Sequence, residues 1–274
     1  MLPLAQESIE PSVFERIARS SIETIVLVGL AFTVVRLGIY FYHSKVSPNQ
    51  RNYFWKVVDW LSDAVVYATI VVFLLVRPYF IQTFRIPTPS MLDTLKINDI
   101  IIVNKLAYRI YEPQPGDIVV FKPPARAVRR HGQDENTDYV KRLIGVGGQT
   151  IEIRDSVLYR DGKKVEEPYL KDKIFGDFKL VKYNGQLIPI VRTPWMPTNL
   201  ASAPEYRIPD EDKDRVWTLP AEKIPEGYFL MMGDNRNQSD DGRFWGLIDR
   251  KAIVGKAWLR ILPLHRFGPV DVRK

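Results

Sequence analysis

Three stretches of this 274-residue chain gather side chains able to act on a carbonyl carbon. The first, "RIPTPSMLDTL" (Arg85 to Leu95), sets the hydroxyl of Ser90 between a rigid proline segment and the apolar Met91. A serine hydroxyl becomes a useful nucleophile only when a base takes its proton and hydrogen-bond donors await the oxyanion. The choice of base is narrow. The chain has no Cys, which excludes thiolate catalysis, disulfides and Cys-ligated zinc. Its three His, at 43, 131 and 265, form neither an HExxH helix nor a pair at metal-ligand spacing. A Ser-His-Asp triad stays open, because folding rather than spacing unites its members, but none of the three lies in a motif-like stretch.

The second stretch is "DYVKRLIG", read as a strand, in which Tyr139, Lys141 and Leu143 share one face and Val140, Arg142 and Ile144 the other. One charge must then turn inward. An inward Lys141 loses the solvation of its ammonium, its pKa falls, and it becomes a candidate general base. The alternative is an edge strand with Lys141 and Arg142 both exposed. The third stretch, "GDNRNQSDDGRFWG" (Gly233 to Gly246), is either a surface loop or a closed polar network, with Asp234, Asp240 and Asp241 against Arg236 and Arg243, that orients a catalytic group. Its spacing does not fit an EF-hand, so no metal is expected there.

These stretches need a scaffold, and the remaining sequence outlines one. An apolar run over 25–42, interrupted by Arg36, spans about 27 Å as a helix and reads as a first transmembrane segment with Arg36 snorkelling. A second run, over 57–81, contains the uninterrupted core Ala64 to Val76 and reads as a second transmembrane helix. The connecting loop 43–56 carries Lys45, Arg51 and Lys56 and no acid, whereas the tail 1–24 has four Glu. The loop is therefore expected to be cytoplasmic, with the tail and residues 82–274 on the outer side. Beyond residue 81, short β-like runs follow one another at 99–105, 116–121, 138–146, 150–155, 156–165, 227–235 and 252–262, with Asp161-Gly162 as a hairpin turn. The expected fold is mainly β, decorated by an irregular, proline-rich insertion or cap at about 168–214. The net charge of +7 comes without a nucleic-acid motif, and the basic "ARAVRRHG" reads as a solvated loop. Nothing in the sequence fixes an oligomeric state.

In order, "FRIPTPSMLDTL", "GDIVVFKPP", "DYVKRLIGVGGQTIEIRD" and "GDNRNQSDDGRFWG" resemble the bacterial type I signal peptidases (leader peptidases), over about residues 57 to 262. The resemblance implies a signal-peptidase-like catalytic β domain in the bacterial cytoplasmic membrane, multi-pass and facing outward. Its substrates would be signal-peptide-bearing precursors, cut after Ala-x-Ala-like sites with no cofactor, and its other partner membrane phospholipid. Carried over, Ser90 would be the nucleophile, Lys141 the general base, and Thr88 with the Ser90 N–H the oxyanion hole. Ser239 would hydrogen-bond and orient the lysine. Tyr139 would pack beside it, with Asp234, Arg142, Asp241 and Arg243 as a supporting polar network. Ile86, Met91, Leu92 and Leu95 would line apolar subsites, and exposed Phe84, Ile86, Met91 and Leu92 would dip into the lipid surface. The chain departs from the family's usual residues at Pro89, Asp93, Asn237, Gln238 and Gly242. Pro89 pushes Thr88 toward extended geometry. Two alternatives are a dedicated peptidase of the same fold for one secretion or conjugation substrate, and an inactive membrane-anchored binding module.

Overall fold

The computed structural model describes residues 22–44, 53–71, 79–131, 137–193, 206 and 208–270. It divides into two compact units, Met1–Phe80 and Ile81–Lys274.

The first unit holds two helices, α1 (Ile22–Ser44) and α2 (Tyr53–Val71). Arg36 of α1 does not snorkel. Its guanidinium bonds both carboxylate oxygens of Asp63 and reaches Asp59 Oδ1 at 3.3 Å, both on α2. This is the arrangement that lets a charged side chain sit among apolar neighbours. Large apolar side chains nevertheless stay exposed on both helices, among them Val34, Phe41, Trp60 and Tyr67. No helix among the described residues is long and apolar enough to cross a membrane. The run expected over 57–81 divides differently: α2 begins at Tyr53 and is described to Val71, residues 72–78 lie outside the described set, and Ile81 already opens a strand. The tail before residue 22 and most of the connecting loop also lie outside it.

The second unit is built from antiparallel strands. Eight form one sheet: β1 (Ile81–Arg85), β2 (Ile100–Asn104), β3 (Ile118–Phe121), β4 (Tyr139–Val146), β10 (Tyr228–Met232), β11 (Ile248–Asp249), β12 (Ile253–Leu262) and β13 (Gly268–Pro269). Their order is β1-β2-β12-β3-β4-β10-β11, with β13 on β12. The long β12 joins the halves because it pairs with β2 along one edge and β3 along the other. β4 is an interior strand, paired with β3 from Tyr139 to Arg142 and with β10 from Arg142 to Val146. That placement overturns the edge-strand alternative for Lys141, and Arg142 is buried as well. Leu143 packs with Val119, Phe121, Met231 and Trp245 on one side of the sheet, while Ile144 joins a different cluster with Leu230 and Met232.

The second sheet has five strands, in order β7-β6-β5-β8-β9: β5 (Ile151–Arg154), β6 (Val157–Arg160), β7 (Lys163–Lys164), β8 (Asp177–Tyr183) and β9 (Gln186–Arg192). The Asp161-Gly162 turn joins β6 to β7, both residues at positive φ as that hairpin class demands. The stretch 168–214, expected to be irregular, contains a seven-pair hairpin, β8–β9, docked on β5. Asn184-Gly185 turns it, again with both φ positive. Pro189 misled because proline normally breaks a strand; here it lies on the sheet's outermost strand, where a missing donor is tolerated. The basic "ARAVRRHG" is likewise not a loop. Residues Ala125–His131 are helical, with Ala127 and Val128 buried.

Candidate active site

Ser90 sits in a single 3-10 turn, Pro89–Met91, directly after β1. Thr88 before it has φ −126° and ψ 156°, the extended geometry that a following proline imposes. Met91 is buried and anchors the turn from below together with Leu95 and Ile86. The "GDNRNQ" segment grips the turn from the side. The Asn235 N–H donates to the Ser90 carbonyl at 3.1 Å and the Asn235 Nδ2 to the Pro89 carbonyl at 3.2 Å. This approach needs a glycine at 233, since a Cβ there would collide with the Ser90 carbonyl oxygen and the Ser239 hydroxyl.

Lys141 reaches the same place from β4. A cavity of about 240 Å³ is lined by Phe84, Ile86, Thr88, Ser90, Lys141 and Asp240, with Pro87, Met91, Tyr139, Val140 and Gln238 among its other walls. Lys141 is 5% exposed, and its Nζ makes no hydrogen bond or ion pair among the described residues. Burial pushes the pKa of this amine down to about 8, against the opposing pull of the Asp241 and Asp240 carboxylates. The Ser90 hydroxyl lies 3.2 Å from the Thr88 hydroxyl. The Ser239 hydroxyl is buried with no partner among the described residues, so the bond to lysine expected for it is not made here.

The surrounding charges are paired in two tight units. Arg142 forks onto Asp234 at 2.8 and 2.7 Å and donates to the Gly116 carbonyl at 2.7 Å, and the Thr94 hydroxyl adds a 2.5 Å bond to Asp234. Asp241 is fully buried; it binds Arg243 at 2.8 and 3.0 Å and accepts from the Gly233 N–H at 3.0 Å. Burial alone would raise the Asp241 pKa, but the Arg243 guanidinium outweighs it and holds the carboxyl below its usual range. These bonds fix both ends of the segment that carries Ser239.

The structure therefore brings together Ser90, Lys141, Thr88, Tyr139, Ile86 and Met91 around one cavity; Ser239, Asp234, Arg142, Asp241 and Arg243 are buried, but none of them is among its walls. Two residues expected in the subsites are placed elsewhere. Leu95 is fully buried in the core with Met91 and Ile101, and Leu92 is half-buried but not among the cavity walls. Ile86 and Met91 are also buried, at 3% and 1%, which removes them from any surface that could enter lipid. No His lines the cavity, and His265 is exposed in a separate turn.

Glu167 and Tyr169 take part in the same framework, although sequence reading placed neither there. Glu167 pairs with the buried Arg236, whose Nε donates to the Gly233 carbonyl at 3.0 Å. The Tyr169 hydroxyl donates to Glu167 at 2.6 Å, and its ring stacks under the Arg142 guanidinium at 3.9 Å. Burial, with Glu167 adjacent, raises the Tyr169 pKa and keeps its hydroxyl a donor. The signal was the triplet Glu167-Pro168-Tyr169, a charged and an aromatic residue fixed by proline at the end of a hairpin.

A hydroxyl and a buried amine among apolar walls, on an antiparallel β scaffold and without histidine, have the make-up of a serine-type hydrolase site. The family model for signal peptidases, peptidase S26, matches residues 57–262, and the chain belongs to that family. A probable signal peptidase I-1 from Synechocystis sp. is 31% identical over 221 residues, 81% of this chain and 89% of the relative. A signal peptidase I from Leptolyngbya laminosa is 31% identical over 73% of this chain and 78% of its own length. One from Aquifex aeolicus is 33% identical over 68% and 77%. The protein is thus a serine peptidase of this family.

Proposed function

We propose that the protein removes N-terminal signal peptides from exported precursors by a Ser/Lys dyad. The observation that carries this reading is the buried Lys141, without a hydrogen bond or ion pair among the described residues, in the same apolar cavity as Ser90. A neutral Lys141 takes the Ser90 proton as the hydroxyl attacks the scissile carbonyl, then returns it to the leaving amine. The Ser90 N–H and the Thr88 hydroxyl receive the oxyanion. The orphaned Ser239 hydroxyl supplies the bond that orients the lysine once substrate closes the site, since such bonds are often loose before substrate arrives. Water then attacks the acyl-enzyme with Lys141 again as base.

The small, mostly apolar cavity favours small apolar side chains beside the cut, consistent with Ala-x-Ala-like sites. The exposed apolar side chains of α1 and α2 support an anchoring role for the first unit in the bacterial cytoplasmic membrane, in contact with phospholipid and with the β unit on the outer side. The test is cleavage of a secretory precursor in detergent by the wild type, Ser90→Ala and Lys141→Met, with the new N-terminus sequenced. Cleavage after a small-residue site by the wild type alone supports the dyad. Normal cleavage by Lys141→Met would contradict it.

A further inference from the structure

A second recess, of about 340 Å³, shares no wall residue with the cavity around Ser90; its walls include Arg142, Lys171, Arg260, Arg266 and Asp93. Its charges do not balance. Arg142 is committed to Asp234, and Lys171 meets Asp93 at 2.5 Å. Arg260 and Arg266 share one buried carboxylate, Asp99. Arg266 Nη1 donates to both of its oxygens, at 2.7 and 2.8 Å, whereas Arg260 lies 3.8 Å away. The described hydrogen bonds of Arg260 go instead to neutral carbonyls, of Arg266 at 2.6 Å and Thr94 at 3.1 Å. Among the described residues, four basic side chains of the recess therefore meet three carboxylates.

The excess charge is recessed. The Arg260 and Arg266 side chains are only 16% and 17% exposed, so water screens them poorly. Burial and the adjacent Arg266 charge hold the Arg260 guanidinium below its ordinary pKa, with Asp99 opposing. We propose that this recess is an anion site that takes a phosphate group. The inference does not depend on the peptidase reading.

A guanidinium is a planar fork of five N–H donors, more than the carbonyl and Asp99 bonds occupy, and it matches phosphate oxygens. Arg260 comes from β12, Arg266 from the turn Leu264–Arg266, and Lys171 from the segment between β7 and β8. Cations from three parts of the chain suit a tetrahedral anion, with oxygens on several sides, better than a planar carboxylate. The group can come from free phosphate or from a lipid headgroup. Leu264 and Phe267, exposed on either side of Arg266, would meet the chains of a lipid-borne phosphate.

The full chain, in a detergent without phosphorus, is titrated with sodium phosphate and separately with dihexanoyl phosphatidylglycerol below its micelle concentration. Sodium chloride at matched ionic strength is the control, and melting temperature and calorimetric heat report binding. Melting temperature should rise above the chloride control and saturate. Lys171→Gln should weaken the apparent affinity about two- to fivefold, and Asp93→Asn, which removes a carboxylate from the wall, should strengthen it by a similar factor. Arg266→Gln should abolish saturable binding; if that variant does not fold, the other two still decide. Tighter binding of the lipid than of phosphate would identify a headgroup site, and equal or weaker binding a free-phosphate site, either of which supports the inference. No saturable effect of either ligand beyond the chloride control would overturn it. So would an affinity that fails to move in opposite directions in Lys171→Gln and Asp93→Asn.

Discussion

At the scale of single residues, Lys141 trades stability for reactivity. Its pKa falls from an ordinary 10.5 to about 8 because the fold buries the ammonium. Between these values the unfolded chain binds a proton that the folded chain does not, so stability rises with pH across that window; below pH 8 the full cost is present. Lys141→Met should therefore be inactive yet more stable at pH 7, by on the order of 3 kcal/mol from the same shift. The gain should narrow as pH rises from 8 toward 10.5. Chemical denaturation at several pH values checks this, and a Met variant less stable than wild type at pH 7 would mean the lysine is not under strain. Much of the residue-scale picture was legible in sequence. The alternation in "DYVKRLIG" set Lys141 and Arg142 on opposite faces, and three His in unpromotable contexts left few bases. It did not show that both charges are buried, since that depends on β3 and β10 flanking β4 and on Asp234 being delivered to Arg142 from 92 residues away.

At the scale of elements, the catalytic turn and the "GDNRNQ" segment depend on one close approach. Gly233 lets Asn235 hold the Ser90 and Pro89 carbonyls, and any side chain at 233 must push the two segments apart. Gly233→Ala should cost about 1–3 kcal/mol as overpacking and lower kcat about a hundredfold through displacement of Ser90. Peptide kinetics beside thermal melts would separate the two effects. A variant that kept wild-type kcat would show that the docking does not position the serine. Strands with alternating or fully apolar runs were readable, and so was the Asp161-Gly162 turn. The β8–β9 hairpin was hidden by Pro189 and the prolines that follow it in sequence, even though Asn184-Gly185 carries the same turn chemistry; the outermost position that makes Pro189 harmless is a property of the sheet rather than of the local sequence. Leu95 shows the converse limit. Its motif position suggested a subsite, but core packing with Met91 and Ile101 claimed it.

At the scale of the whole molecule, the chain divides into two compact units, and the proposed function assigns anchoring to the first and chemistry to the second. A fragment covering residues 81–274 should unfold cooperatively and cut short soluble peptides within a few-fold of the full chain. It should cut a vesicle-inserted precursor far more slowly, because co-localisation on one surface raises effective concentration by orders of magnitude. Equal rates on the inserted precursor would remove the anchoring role from the first unit. Here sequence reading was least complete: apolar runs suggested two spans, while the structure adds the Arg36 pairing to Asp59 and Asp63 that ties α1 to α2.

The most direct test of Lys141 as the base for Ser90 is the pH dependence of kcat/KM for peptide cleavage, with chemistry rate-limiting. The buried amine requires a rate that rises through an apparent pKa of about 8 and levels above it. A rate flat across that range, or a single rise near 6.5 where an unperturbed histidine titrates, would mean that another group takes the proton.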